Sequence, residues 1–135
     1  MFPASTKGGG QTFAFPDVCK TPAPPAPPVP IPYPNIGMVM QASKTSTKVS
    51  ICKKDAVTTK SEIPRSSGDE AGLAKGIMSN TNMDKVTFKK GASKVKVEGN
   101  PLVLAMAMTA QNGSNANMPS GSQIAPSQTK VLVKP

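Results

Sequence analysis

The chain has 135 residues, no histidine, no tryptophan, one tyrosine and four phenylalanines. That length suits one domain, and a 37% hydrophobic share with fifteen prolines and eleven glycines excludes long helices and a large aromatic core. The formal charge of +9 comes from lysines apart from the single Arg65, and lysines scattered along a chain point to solubility and guarded strand edges more than to a phosphate-reading face.

Residues 1–15 read as a flexible lead-in, with Gly8-Gly9-Gly10 free in torsion, and residues 16–135 as a single domain. The segment from Pro16 to Asn35 contains nine prolines in twenty residues. Fixed φ and few donors make it an extended strap laid over the body. The runs 36–41 and 48–53 follow as short strands, the second alternating Val49 and Ile51 against Ser50 and Cys52. Lys53-Lys54-Asp55 reads as a turn. Residues 63–72 read as loop, 73–79 hold one helical turn, and 86–88 begin another strand.

The clearest pattern lies between Ser93 and Met108. Val95 and Val97 alternate with lysines, Gly99-Asn100 occupies the place of a two-residue hairpin turn, and Pro101 opens a return strand over 102–108. In that strand Leu102, Leu104, Met106 and Met108 share one face. Residues 109–127 form a polar loop, and 130–134 a last strand. The expected fold class is all-β, a compact cone of short β-hairpins with the proline-rich strap at its start.

The chemistry of the chain is sparse. Without histidine, Ser–His and Cys–His nucleophile pairs are excluded, and a chain without enzymatic activity is expected. Asp69 and Glu70 are adjacent and read as a solvated turn. Cys19 and Cys52 are the candidate metal ligands, but two thiolates supply half of a tetrahedral zinc shell, so no cofactor is expected. They read instead as free thiols. No leader-like opening is present, and the apolar run 102–108 is too short to span a bilayer, so assembly in the cytoplasm is expected. The charge keeps a small basic nucleic-acid-binding protein as the alternative, although stacking aromatics and a basic stripe are missing and no specific nucleic acid is expected.

The string Pro16-Asp17-Val18-Cys19 followed by Val29-Pro30-Ile31-Pro32-Tyr33-Pro34-Asn35 resembles the PAAR-like family, the spike-tip proteins of type VI secretion and related contractile injection systems. The loop Ser67-Gly68-Asp69-Glu70 with Gly72, the Gly76–Ser79 string, Val95–Gly99 with Pro101, and the ending Pro126–Val133 resemble its later segments. The resemblance implies a structural role for Asp17, Cys19, Pro30, Pro32, Tyr33, Pro34, Asn35, Gly68, Asp69 and Gly99. It also implies a tip seated on a trimeric VgrG-type spike, with an effector or toxin carried along. Transient contact with the target membrane and delivery out of the bacterium follow from that role. Ile31 and Tyr33 are the expected docking contacts. PAAR tips hold zinc through histidines and a cysteine, and this chain has no histidine.

Overall fold

The structure is a computed structural model that describes residues 2–113 and 115–134. Met1 and Pro135, which the expected lead-in and domain include, and Ser114 of the expected polar loop lie outside the described residues. Among the described residues there are twelve strands, beginning with β1 (Phe2–Pro3), β2 (Gln11–Ala23), β3 (Ala26–Met38), β4 (Ser50–Ile51), β5 (Lys54–Asp55) and β6 (Glu62–Ile63). They continue with β7 (Val86–Phe88), β8 (Lys96–Val97), β9 (Asn100–Pro101), β10 (Met108–Gln111), β11 (Met118–Ala125) and β12 (Leu132–Val133). One 3-10 turn, Val39–Gln41, follows β3. The fold is all-β, as expected. Among the described residues no helix is long and apolar enough to cross a membrane.

The main sheet has six strands in the order β3-β2-β11-β10-β7-β6, and every pairing in it is antiparallel. The proline-rich segment is not a strap over the body but the β2–β3 hairpin at the edge of this sheet. Pro30 lies opposite Lys20 and Pro32 opposite Val18. Proline has no N–H, so along this stretch only Val29, Ile31 and Tyr33 can donate to the ladder. An edge strand is where a sheet tolerates that loss, and the prolines block further pairing on the outer side.

Within β2 the register shifts between Ala14 and Asp17. Before the shift Thr12 and Ala14 are buried; after it Asp17 and Cys19 are. An extra residue in one strand reverses the parity of its side chains. The shift therefore keeps one face of β2 turned inward along its length.

Among the described residues two small apolar clusters fill the interior. Val39, Ala42, Val57, Ile63, Val86, Phe88 and Val103 form one, and Ala4, Ala56, Ala92, Val97, Leu102 and Leu104 form the other. Buried polar side chains lie beside them and bond to one another. Ser5 Oγ donates to Gln123 Oε1 at 2.6 Å, and Gln111 Nε2 to Thr109 Oγ1 at 2.9 Å.

The structure departs from the sequence reading at other places as well. Residues 2–15 are not a flexible lead-in. β1 pairs with β12, Ala4, Ser5 and Thr6 are buried, and β2 already starts at Gln11. The segment 102–108 is not one strand, because Met106 takes a left-handed φ of 70° and turns the chain there. Leu102 to Ala105 are buried in succession, whereas Met106 and Met108 are exposed. The hairpin turn is Glu98-Gly99 (φ 50° and 84°), one residue earlier than expected, and it joins β8 to β9. Residues 109–127 hold most of two central strands, stabilised by side-chain amides rather than apolar packing. Residues 73–79 form no helix but a pair of tight turns, closed by Lys75 N–H to the Gly72 carbonyl (2.9 Å) and Asn80 N–H to the Gly76 carbonyl (3.1 Å), and backbone bonds tie them to β2.

Candidate functional site

The buried face of β2 presents Asp17 and Cys19, two residues apart and therefore on one side of the strand. The loop between β6 and β7 wraps around them. Ser67 exchanges backbone hydrogen bonds with Ile36 of β3 (2.7 and 2.8 Å), and Gly68, at φ +115°, turns the chain tightly past the Pro34 carbonyl. Asp69 then points inward. Farther along, Ala74 and Ile77 donate to the carbonyls of Lys20 and Val18 at 3.0 and 3.2 Å, so the loop lies along the outer half of β2. Gly72 lies so close to Cys19 that a Cβ there would overlap the Cys19 Cβ.

Asp17, Cys19 and Asp69 are all 0% exposed. One ligand atom from each lies within 4.8 Å of the others. Cys19 Sγ is 3.7 Å from Asp17 Oδ1 and 3.8 Å from Asp69 Oδ2. The Met83 N–H donates to Asp69 Oδ1 at 3.0 Å. Two asparagines from the β10–β11 connection close the other side. Asn112 Nδ2 donates to Asp17 Oδ1 at 3.2 Å, and Asn117 Nδ2 donates to the same oxygen and to the Val18 carbonyl (2.8 Å). Asp17 Oδ2 is buried without a hydrogen-bond partner.

The electrostatics follow from this burial. Asp69 is pushed up to about 7, first by burial and then by hydrogen bonding to and the charge of Asp17. Cys19 is pushed up to about 12 by burial and by the charges of Asp17 and Asp69. Among the described residues the ion pairs join Glu62 to Lys44 and Lys85, each at 3.4 Å, and none reaches the Asp17–Asp69 pair. Two carboxylates in a dry interior need a proton or a cation between them.

The donor set fits a metal of the zinc class. Three atoms converge, one of them is a sulfur, and the Asp17 Oδ2 beside them has no other partner. The set differs from the histidine site that the resemblance implies. It includes Cys19 but not Cys52, which sits exposed in the turn between β4 and β5 with Sγ 3.5 Å from Gln128 Oε1. Both cysteines are free.

The remaining signature residues fall around this cluster. Asn35 is buried and donates to Ser66 Oγ at 2.9 Å. Tyr33 shares a 2.6 Å hydrogen bond with Thr21 across the β2–β3 hairpin, and Ile31 and Val29 beside it are 37% and 44% exposed. Gly99 stands apart, in the β8–β9 turn. Asp69 is not part of a solvated turn; only Glu70 is exposed, accepting from the Gly68 N–H at 2.6 Å. Asn112 and Asn117 escape the sequence reading, because nothing in a polar, Asn-rich stretch marks which amides turn inward.

The family described as Toxin PAAR-like domain matches residues 10–119, from just before β2 to the first residues of β11. The chain belongs to this family. The toxin PAAR-like chain is also 38% identical over 124 residues to a protein named DNase toxin Tse7 from Pseudomonas aeruginosa, a match covering 87% of this chain. It spans 32% of that relative's length. No solved structure matches it.

This relationship corrects the expectation of a chain without enzymatic activity. That expectation rested on the missing histidine, and a relative named as a DNase removes its force. Phosphodiester hydrolysis can run on metal-bound water and carboxylates, with no histidine required.

Proposed function

We propose that this toxin PAAR-like domain is the docking and delivery part of a DNA-degrading toxin. It sits as a single copy on the blunt end of a trimeric VgrG-type spike of a contractile injection machine, type VI secretion or a relative of it. It assembles in the bacterial cytoplasm, sharpens the spike, and leaves with it across the target envelope. The observation that carries the reading is the family match over residues 10–119, which takes in the cluster and most of the main sheet. The DNase relative supports the toxin half of the reading.

The mechanics agree with this role. A tip driven through an envelope needs stiff backbone, which short strands, tight turns and a proline-blocked edge supply. Docking falls to Val29 and Ile31 on the β2–β3 hairpin, the exposed apolar residues beside the family signature. Tyr33, with its hydroxyl engaged by Thr21, braces that hairpin.

The test is co-expression of the complete gene product that carries this domain with a trimeric VgrG-type spike from the same genome, followed by affinity purification and a plasmid-degradation assay on the complex with magnesium. Co-purification with loss of supercoiled DNA is expected. Failure to associate with the spike overturns the docking half, and an associated complex that leaves DNA intact overturns the toxin half.

The charge of +9 favours a second reading, direct contact with DNA. It predicts retardation of duplex DNA that weakens steeply as salt rises.

A further inference from the structure

We propose that Asp17, Cys19 and Asp69 form a binding site for one divalent ion of the zinc class, which locks the β6–β7 loop onto β2. The three side chains are fully buried and converge within 4.8 Å. In a tetrahedral zinc shell, Zn–S of about 2.3 Å and Zn–O of about 2.0 Å put sulfur and oxygen roughly 3.5 Å apart. The observed Sγ···O separations are 3.7 and 3.8 Å, so a small contraction closes the shell on three sides. A fourth position is left to a water molecule.

Asp17 Oδ2 points to the same conclusion independently. It is buried with no hydrogen-bond partner, while Oδ1 of the same carboxylate takes two amide N–H bonds. A cation held at Asp17 Oδ1 and shared with Oδ2 of the same carboxylate gives the second oxygen its partner and offsets the charge of the two buried carboxylates, which no described basic side chain does. Sulfur among the donors selects a thiophilic ion over magnesium or calcium.

The surrounding amides are set for this task. Asn117 Oδ1 accepts from the Met78 and Ser79 N–H groups (2.8 and 3.3 Å), and Asn112 Oδ1 from the Asp84 N–H (3.2 Å). Those bonds fix both side chains so that their N–H groups face the cluster. Their Nδ2 atoms lie 3.8 and 3.9 Å from Cys19 Sγ. Hydrogen bonds of this kind orient metal ligands and tune their charge. On binding, the Cys19 thiol proton and the proton held between Asp69 and Asp17 both leave to solvent, and sulfur–metal and oxygen–metal bonds take their places.

The test is metal analysis of the full chain by plasma mass spectrometry after growth in zinc-supplemented medium and desalting. About one zinc per polypeptide is expected, and cobalt exchanged into the site is expected to show thiolate-to-cobalt charge-transfer absorption. Cys19→Ser should remove that absorption and cut metal content at least tenfold, whereas Cys52→Ser, at an exposed turn, should keep both. If Cys19→Ser does not fold, the wild-type chain still decides. Returning zinc to chelator-treated protein should raise Tm by roughly 5 °C or more. Wild-type protein that holds no metal and whose Tm ignores added zinc overturns the proposal, and leaves the two carboxyl groups sharing a proton. Zinc retained undiminished by Cys19→Ser overturns it equally.

Discussion

Asn117 turns its side-chain N–H groups onto the Asp17 carboxylate, and the backbone on its far side prevents it from turning any other way. Its oxygen is held by Met78 and Ser79, and its nitrogen also bonds the Val18 carbonyl at 2.8 Å. One amide thereby ties the start of β11, the β6–β7 loop and β2 together. The sheet and its longest loop meet at that side chain.

Asn117→Ala should therefore cost more than an ordinary surface substitution. It removes one of the two amide donors to a buried carboxylate oxygen and the acceptor of two backbone N–H groups at once, a loss of about 2–4 kcal/mol. Urea unfolding followed by circular dichroism checks this: the midpoint should fall with m unchanged. A midpoint shift within error would show that Asn117 is dispensable.

Gly72→Ala should also destabilise, by about 1–3 kcal/mol, because the new methyl meets the Cys19 Cβ and neither strand nor loop can give way without loosening the cluster. Thermal unfolding of the variant measures it. Gly99→Ala gives the contrast: its Cβ would meet nothing, and its cost comes only from φ +84°.

In the presence of chelator, stability should depend on pH through Asp69. Its carboxyl is raised from 3.8 to about 7 by burial and by Asp17, so the folded chain keeps a proton that the unfolded chain releases. The associated stabilisation is complete below about pH 4 and is lost as pH rises toward 7. Tm should fall across that window by roughly 5 °C or more, and Asp69→Asn should flatten the slope. A wild-type Tm level from pH 4 to 7 would contradict the assignment.

Much of this architecture is legible in the sequence. Proline spacing marks Pro16–Asn35, which carries Asp17 and Cys19, as extended, and Val86–Phe88 and Leu132–Val133 form the strands their β-branched residues favour. The illegible part is polar. Residues 109–127 lack the apolar period that announces a strand, because Gln111, Gln123 and Asn112 are buried through hydrogen bonds rather than through hydrophobic transfer. Asp69 is unreadable for a related reason. Its inward turn depends on Gly68 passing under Pro34, a contact between distant segments that local pattern does not encode. Composition misleads about catalysis, since an absent histidine limits one mechanism and not phosphodiester chemistry in general.

The exposed side of the β2–β3 hairpin should carry spike recognition without contributing much to folding. Ile31→Lys with Val29→Lys places two charges at positions already 37% and 44% exposed. Tm should stay within about 2 °C of wild type, as for surface changes, while retention on an immobilised spike drops at least tenfold. Unchanged retention would move the docking face elsewhere on the domain.

The most direct measurement is the mass of the assembly formed with a trimeric VgrG-type spike, by light scattering on a sizing column with this chain in excess. The account predicts a complex weighing one spike trimer plus a single copy of the chain. A trimer eluting bare beside free chain, or binding three copies, would contradict it.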